Sequence, residues 1–342
     1  MLPTGRPVRG AAASRPMPAA ERPERPDTLG SMNDLVVSLP TDAGLREALG
    51  EIDGVEFVTW DLDAEAPRDR FDIVVPPYWG GNRRLARLAG VDVRLVQWQS
   101  IGYNGVTKHL PAGMPLANAA TVHETSTAEL ALGLVLAAQR GISEFVRDGE
   151  AHRWHLRSFP SLADRRLLLV GYGGVSKAIE ARLAGFETRI ARLARSAREE
   201  RNPAGDPVSV RGFEDLRECL AEAEIVILAV PLTEETKGLI DADALAAMPD
   251  GALLVNVARG PVVDTEALVA ELQAGRLRAA LDVTDPEPLP EDHPLWDCPN
   301  TLITPHVGGD SSAMLPRMVA LIRRQIAHLQ AGEKPENLVL GA

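Results

Sequence analysis

Cysteines, excess basic charge and long apolar runs are all scarce in this sequence of 342 residues. Its two cysteines, Cys219 and Cys298, are too few for a disulfide framework and lack a CxxC spacing. We therefore interpret both as structural and expect a reducing, cytoplasmic environment. No stretch approaches the roughly 18 apolar residues that a membrane span needs. The net charge of −12 argues against a general nucleic-acid-binding protein, because an acidic surface repels phosphate backbones.

Short apolar runs alternate with helical patterns from Asp34 onward, which indicates parallel sheets covered by helices. The first series of predicted strands is LVVSLP, VEFVTW, DIVVPPYW, VRLVQWQ and MPLANAA. A long helical stretch over residues 126–154 separates it from a second series, RLLLVG, TRIARLA, EIVILAVP, ALLVNVA, RAALDV and TLITPHV. The sequence thus predicts an α/β fold with two doubly wound parallel-sheet domains, flavodoxin-like and Rossmann, and an interdomain cleft that binds ligands.

The domain boundaries follow from the composition and from the last amphipathic segment. Residues 1–31 are rich in Pro, Ala and Arg without apolar periodicity, which predicts a disordered N-terminal extension. PRMVALIRRQIAHLQAG is predicted to return to the first unit, which makes the substrate domain discontinuous, over residues 32–125 and 310–342. Residues 126–309 then form the dinucleotide-binding domain.

GYGGVS, at residues 171–176, follows an apolar strand and precedes a helix, as a dinucleotide-binding turn does. The first glycine permits the turn and the second lets a pyrophosphate approach the backbone. Ser176 stands in place of the third glycine, and we expect either looser packing or a hydroxyl hydrogen bond to nearby backbone. The predicted cofactor-binding residues of this turn are Gly171, Tyr172, Gly173, Gly174 and Val175.

LARSAR, at residues 193–198, stands where NAD-binding folds keep an acid for the adenosine ribose. Ala194 takes the place of that acid, and Glu199 and Glu200 come too late in the sequence to replace it. Without a carboxylate, Arg195, Ser196 and Arg198 are free to bind a 2′-phosphate, which predicts NADP as the cofactor. The alternative is NAD held by other contacts, with these arginines in an exposed loop.

Three further strings place polar residues directly after predicted strands, where this architecture has its active site. NVARGPVVD carries Arg259, a residue type that clamps carboxylates with two hydrogen bonds. TLITPHVGG carries His306, whose imidazole can exchange a proton near neutral pH. LDVTDPEP carries Glu287, a partner that would orient the imidazole and stabilise its protonated form. Each residue type also has structural uses, but together they predict an acid/base site beside a bound carboxylate.

The chain closely resembles the D-isomer-specific 2-hydroxyacid dehydrogenase family, in its glyoxylate/hydroxypyruvate reductase-like, NADP-preferring branch. The resemblance lies in QSIGYNGV, HETSTAELALGLVLAAQR, the glycine turn, VPLTEETKGLI, MPDGALLVNVARGPVVDTEAL and GRLRAALDVTDPEPLPEDHPLWDCPNTLITPHVGG. It implies that Arg259 binds the substrate carboxylate, that His306 is the acid/base and that Glu287 tunes it. It further implies carboxylate binding by Ser100, Ile101 and Gly102, and cofactor contacts at Asp282, Pro231 and Ala258.

The resemblance implies a reductase that passes a hydride from NADPH to a small 2-oxo acid, with glyoxylate and hydroxypyruvate as the leading substrates. Tyr78 and Trp79 of PPYWGGN are expected to wall the substrate pocket, unless Trp79 only covers the sheet edge. An NAD-dependent 3-phosphoglycerate dehydrogenase is the alternative, with Arg83 or Arg84 supplying phosphate cations, although an exposed helix face explains both. A corepressor or scaffold dimer that binds nicotinamide cofactor is the alternative of another class.

The segment GEAHRWHLRS resembles the family's dimerisation arm and implies a homodimer. His152 and His155 in it have a spacing compatible with a metal site. We expect no carboxylate or cysteine to complete a metal site with them, so we interpret them as part of a loop and expect no metal.

Overall fold

The computed structural model describes residues 34–41 and 44–341, so the predicted extension over residues 1–31 lies outside the described residues. Sixteen strands are found in this part of the chain. The first seven are β1 (Leu35–Leu39), β2 (Val55–Thr59), β3 (Arg70–Phe71), β4 (Ile73–Val74), β5 (Asp92–Val93), β6 (Val96–Gln97) and β7 (Leu116–Ala117). The others are β8 (Arg166–Val170), β9 (Arg189–Leu193), β10 (Arg198–Arg201), β11 (Pro207–Val210), β12 (Ile225–Leu228), β13 (Leu253–Asn256), β14 (Arg278–Leu281), β15 (Thr301–Ile303) and β16 (Leu338–Leu340).

Nine α-helices accompany the strands in the described residues. They are α1 (Leu45–Leu49), α2 (Gly81–Arg84), α3 (Glu124–Arg140), α4 (Ile142–Glu150), α5 (Gly174–Leu183), α6 (Leu216–Glu222), α7 (Ala242–Ala247), α8 (Thr265–Gln273) and α9 (Met314–Gln330). Short 3₁₀ segments lie at Leu85–Leu88, Val106–Lys108, Phe213–Asp215, Gly260–Val262 and Pro294–Asp297. No helix of the described part is long and apolar enough to cross a membrane.

The first six-stranded sheet has the order β2-β1-β4-β6-β7-β16, the doubly wound arrangement of flavodoxin-like folds. Its strands are parallel except β16, which pairs antiparallel with β7. Helix α9 covers this sheet, since Met318, Leu321 and Ile322 are fully buried in one cluster with Val37 and Leu39. The last helix therefore belongs to the same packing unit as the first strands.

The second six-stranded sheet has the order β9-β8-β12-β13-β14-β15 and is parallel throughout. Every residue of β12 and β13 is buried, because helices pack on both faces of such a sheet. The strand order reverses between β8 and β12, and ligands of open α/β sheets bind at the carboxyl ends of strands beside such a reversal. The predicted α/β class with two parallel sheets is confirmed.

The structure corrects several predicted elements. The helical stretch 126–154 is two helices, because Gly141 at φ 59° ends α3 and α4 stops at Glu150. In the described residues of TDAGLREALGEI, only Leu45–Leu49 is helical. The antiparallel hairpin β10–β11 was not predicted, and it places Arg198 on a strand instead of a loop. Its charged strand REER has no apolar alternation that would reveal it.

Candidate active site

A cavity of about 480 Å³ lies where the loops after strands of both sheets meet. The first sheet contributes side chains between residues 78 and 104, and the second contributes Arg259 and His306. Among the described residues that line this cavity there is no carboxylate; they are Tyr78, Trp79, Gly80, Gly81, Asn82, Arg83, Trp98, Ser100, Gly102, Asn104, Arg259 and His306. The cavity is therefore suited to an anion.

His306 presents one ring nitrogen to a carboxylate, which leaves the other ring nitrogen for a ligand. Nδ1 lies 2.5 Å from Glu287 Oε1. Because an ionised carboxylate only accepts hydrogen bonds, Nδ1 carries a proton and donates a hydrogen bond to Glu287. Since His306 also lines the cavity, its Nε2 is the atom available for proton transfer to a bound molecule.

The loop that carries His306 is fixed by Asp282, a role that the sequence reasoning missed. The buried Asp282 carboxylate accepts hydrogen bonds from Thr304 Oγ1 at 2.7 Å and from the backbone N–H groups of Val307 and Gly308, both at 2.9 Å. The Asp282 backbone carbonyl accepts from the N–H of His306 at 2.8 Å. These bonds hold His306 at φ 54°, a left-handed conformation that non-glycine residues rarely adopt and that costs about 1–3 kcal/mol.

Arg259 extends from the end of β13 into the same cavity. Burial lowers the pKa of its guanidinium, while the nearby Glu287, Tyr78 and Asp282 raise it. A Cβ added at Gly102 would collide with the far end of the Arg259 side chain, so a larger residue there would force the guanidinium to move. The geometry places a cation in a desolvated position, where its interaction with a carboxylate is stronger than in water.

The backbone of residues 100–102 presents free donors near Arg259. Among the described residues, no acceptor takes the N–H groups of Ile101 and Gly102. The carbonyl of Gly102 accepts from Trp98 Nε1 at 3.0 Å, and that of Ile101 accepts from Asn118 Nδ2 at 2.9 Å, which fixes the turn. Ser100 and Gly102 line the cavity, whereas Ile101 is not among the lining residues.

Tyr78 and Trp79 both line the cavity, as expected from PPYWGGN. Their rings meet edge to face with centroids 4.9 Å apart. Burial raises the pKa of the Tyr78 phenol, partly offset by a hydrogen bond with Ser100, so the phenol is neutral at physiological pH. Trp79 is 62% exposed and forms the outer wall. The interpretation that Trp79 only covers the sheet edge does not describe its position.

The turn at residues 171–176 has the backbone geometry that a pyrophosphate requires. Gly171 has φ +92°, and a Cβ there would lie 2.6 Å from the carbonyl oxygen of Ala229. At Gly173, by contrast, an added Cβ would meet nothing within 4 Å, which leaves open space at the start of α5. Ser176 is fully buried and donates its hydroxyl to the Gly171 carbonyl. The residues present therefore fit a dinucleotide, with backbone N–H groups facing its phosphates.

The side chain of Tyr172 is bound within the protein. Its hydroxyl donates to Glu180 at 2.7 Å, and Arg192 also binds Glu180. Burial, together with the contact with Glu180, raises the pKa of Tyr172 to about 12. The side chain of Tyr172 thus helps to link α5 to β9, and its contact with a cofactor stays a prediction.

The residues after β9 form a cationic surface beside the turn. Arg195 and Ser196 are exposed. Among the described residues, no other side chain forms a hydrogen bond or an ion pair with the side chain of Arg195 or of Ser196. Arg198 donates to the Tyr172 carbonyl at 3.2 Å and to Glu200 at 2.9 Å. Glu200 also pairs with Lys177 of α5. The carboxylate of Glu200 on β10 thus pairs with two cations, Lys177 and Arg198, and the expectation that it comes too late to bind the ribose stays a prediction.

The other predicted cofactor positions lie after β12 and β13. Pro231 is exposed, and its carbonyl accepts from Thr236 Oγ1 at 2.6 Å. Ala258 is buried, and its N–H donates to Asn256 Oδ1 at 3.0 Å. The next residue after Pro231, Leu232, accepts a hydrogen bond from Asn104 Nδ2 at 2.6 Å and so links the two sheets across the cavity.

The structure also corrects the expected surroundings of His152 and His155. The carboxylate of Asp148, buried at the end of α4, lies 3.7 Å from His155 Nδ1 and binds Arg153 and Arg157. The inference that no carboxylate accompanies the histidines was therefore wrong. Within the described residues, no group of three or more His, Cys, Asp and Glu side chains could hold a metal ion.

Comparison with known proteins agrees with this geometry. The family model for "D-isomer specific 2-hydroxyacid dehydrogenase, NAD binding domain" matches residues 132–308. A glyoxylate reductase from Pyrococcus furiosus is 34% identical over 303 residues, 83% of this chain and 89% of that protein. A D-isomer-specific 2-hydroxyacid dehydrogenase from Xanthobacter autotrophicus, solved with NADPH and MES, is 29% identical, with a TM-score of 0.73 over 90% of this chain and 98% of that one.

Proposed function

Since the chain belongs to the D-isomer-specific 2-hydroxyacid dehydrogenase family, and is thus a nicotinamide-dependent oxidoreductase, we propose that it reduces small 2-oxo acids of the glyoxylate and hydroxypyruvate type with NADPH. The observation that carries the proposal is that Arg259 and the Glu287-bound His306 line one cavity, next to free backbone donors. The product is a D-2-hydroxy acid.

The chain's own residues fix the acid and deliver a proton. NADPH, when bound, supplies the hydride for the keto carbon. Arg259 and the N–H groups of Ile101 and Gly102 hold the substrate carboxylate. His306 Nε2 donates a proton to the keto oxygen as negative charge develops there. Glu287 accepts the Nδ1 hydrogen bond throughout, which stabilises the imidazolium before transfer and keeps the ring oriented.

The test of this function is the initial rate of NADPH oxidation with glyoxylate and with hydroxypyruvate, repeated with NADH. A rate that saturates with either acid supports the proposal. No turnover with any 2-oxo acid, together with stable capture of a protein partner, would replace it with a cofactor-binding scaffold. A strong NADH preference would favour the NAD-dependent alternative.

NADP as the preferred cofactor is supported by the surface after β9. Ala194 is buried at the strand end where NAD-binding folds carry an acid. Arg195 and Ser196 are exposed next to it, and no described side chain competes for them. Arg198 already binds Glu200, so part of its charge is neutralised. Arg195 is therefore the main candidate for the 2′-phosphate. The relative from Xanthobacter autotrophicus that was solved with NADPH gives this assignment further support.

Arg195→Ala is expected to raise the KM for NADPH by about 10-fold, since it removes one charge-assisted hydrogen bond to the 2′-phosphate, and to leave the KM for NADH unchanged. Arg198→Ala should have a smaller effect because Glu200 shares that guanidinium. Arg201→Ala is the matched control, as Arg201 lies on β10 and donates to Gly205. Steady-state kinetics with NADPH and with NADH gives the KM values that check this prediction. An equal rise in the KM for NADH and the KM for NADPH would contradict the 2′-phosphate assignment.

A homodimer is supported by exposed apolar side chains on α4 and on the arm that continues from it, GEAHRWHLRS. Ile142, Phe145 and Val146 lie at helical spacing on α4 and are 49%, 39% and 55% exposed. Beyond the helix, Trp154 is 95% exposed and Leu156 is 86% exposed. So much apolar surface on one segment is typical of a protein–protein interface. We therefore propose that the arm packs against a second copy of the chain.

Trp154→Ser combined with Leu156→Ser is expected to shift the chain from dimer to monomer at micromolar concentration, since large buried apolar side chains dominate interface energies. Sedimentation velocity measures the change. Trp296→Ser is the control, because Trp296 is 51% exposed but lies outside the arm. If the double variant sediments like the parent protein, the arm is not the interface.

A further inference from the structure

Arg83 occupies a position in the cavity that the proposed reduction of small acids does not use. It lies on α2, two residues beyond the start of the helix, and it lines the same cavity as Arg259. No described residue forms an ion pair or a hydrogen bond with it. Its neighbour Arg84 points elsewhere and donates to the Asp61 carbonyl at 3.0 Å. Arg83 lies on an exposed helix face, as expected, and the structure adds that it also lines the cavity.

The charge of the cavity exceeds what one substrate carboxylate requires. Arg83 and Arg259 both line it, and no carboxylate does so in the described residues. This contrasts with the whole chain, whose net charge is −12. A second guanidinium without a counter-ion in a concave site attracts a second negative charge. The electrostatics therefore favour a substrate with two anionic groups.

The size of the cavity leads to the same conclusion. Its volume of about 480 Å³ lies within the range of roughly 300–1,000 Å³ that pockets for much larger ligands occupy. A two-carbon acid held by Arg259 and His306, together with the nicotinamide ring that must reach its keto carbon, leaves part of that space unfilled. Trp79 and Trp98 border the remaining space and suit a short carbon chain between two polar ends.

Asn82 supplies a further unused polar group beside Arg83. Its side-chain oxygen Oδ1 is buried and has no hydrogen-bond partner in the described structure. Leaving a buried polar atom unpaired is unfavourable, so such atoms usually have a ligand or a water molecule as partner. Because the two ends of an amide are exchangeable, Asn82 can accept a hydrogen bond from a hydroxyl or donate one to an anion.

We propose that Arg83, assisted by Asn82, is a second anion subsite that binds the distal carboxylate or phosphate of a 2-oxo acid. This assignment rests on the proposed function, because Arg259 must hold the carboxylate next to the keto group. Substrates then include 2-oxo acids with a second anionic group, besides the small acids. Arg83 is a specificity-determining residue, since it contacts the substrate far from the reacting carbon.

The test compares acids that differ only at the distal end. With saturating NADPH, kcat/KM is measured for 2-oxoglutarate, for 2-oxopentanoate, which has a methyl group in place of the distal carboxylate, and for 3-phosphohydroxypyruvate. We expect at least one of the two dianionic acids to exceed 2-oxopentanoate by about 10-fold or more. Which of the two is preferred distinguishes a carboxylate ligand from a phosphate ligand.

Arg83→Gln is expected to lower kcat/KM for the preferred dianion by about 10- to 100-fold and to change the value for glyoxylate less than about threefold. Arg87→Gln is the matched control, because Arg87 lies in the adjoining 3₁₀ segment, is exposed and does not line the cavity. Equal losses for glyoxylate and the dianion, or equal losses in both variants, would overturn the subsite.

A binding measurement keeps this inference separate from the proposed function. The dissociation constants of 2-oxoglutarate, 3-phosphohydroxypyruvate and 2-oxopentanoate are measured by calorimetry with NADP⁺-saturated protein, before and after Arg83→Gln. Dianion binding that weakens in the variant supports the subsite even if no 2-oxo acid is turned over. If neither dianion binds more tightly than 2-oxopentanoate, the subsite is refuted while reduction of small acids still stands.

Discussion

His306→Gln is expected to lower kcat for 2-oxo acid reduction by about 10²- to 10⁴-fold, the range typical of a lost general acid. Glutamine is close to imidazole in size and is polar, but it has no proton to give at the position of Nε2. The bond from Nδ1 to Glu287 at 2.5 Å would be replaced by an amide contact, so the loop should keep its place. Binding of NADPH should be nearly unchanged, because the cofactor turn lies on other elements.

The measurement pairs steady-state rates with the dissociation constant of NADPH, which fluorescence titration gives. His328→Gln is a matched control: His328 on α9 forms the same kind of Nδ1 contact, with Glu333 at 2.8 Å, but does not line the cavity. The His328→Gln variant should keep the kcat of the parent protein. If His306→Gln loses cofactor binding and turnover to the same extent, His306 is a structural residue and the acid/base assignment fails.

Arg259→Ala should lower kcat/KM for the keto acid by about 10²- to 10³-fold, because removing one partner of a desolvated ion pair costs about 2–5 kcal/mol. The loss should appear in both KM and kcat, since the carboxylate is bound less tightly and the keto group is no longer positioned. Gly102→Ala tests the same contact without altering charge. Its new methyl group would displace the guanidinium, so we expect a loss in the same direction of about 10-fold.

Arg278→Ala separates substrate binding from stability. Burial lowers the pKa of Arg278 as it does that of Arg259, but Arg278 donates to Gln139 Oε1, far along the chain from the cavity residues. We expect a lower melting temperature in this variant with an unchanged KM. If Arg259→Ala also loses only thermal stability and keeps its KM, Arg259 does not bind the carboxylate.

The parts of the site that could be predicted lie immediately after strands. Arg259, Glu287 and His306 each follow a strongly apolar run, and in parallel sheets the carboxyl ends of neighbouring strands meet at one edge. The glycine turn could also be predicted, because its strand and helix flank it directly in sequence. For such residues, the order of strands alone determines proximity.

The parts that could not be predicted depend on side-chain direction or on irregular backbone. Arg83 and Arg84 are adjacent in sequence, yet only Arg83 lines the cavity while Arg84 binds a carbonyl, and no periodicity distinguishes them. Glu200 pairs with Lys177 from β10, a strand of the hairpin that the sequence pattern did not predict. Asp282 was predicted to contact the cofactor from the family resemblance alone, and the sequence did not reveal that it also anchors the loop of His306.

The strand order of the first sheet also determines when that sheet can be completed during translation. Its edge strand β16 and its covering helix α9 come after every strand of the second sheet in the chain. The second sheet has all its strands once residue 303 has left the ribosome, whereas the first still exposes β7 as an open edge and the apolar surface around Val37. The half of the molecule that is synthesised first is therefore the half that is finished last.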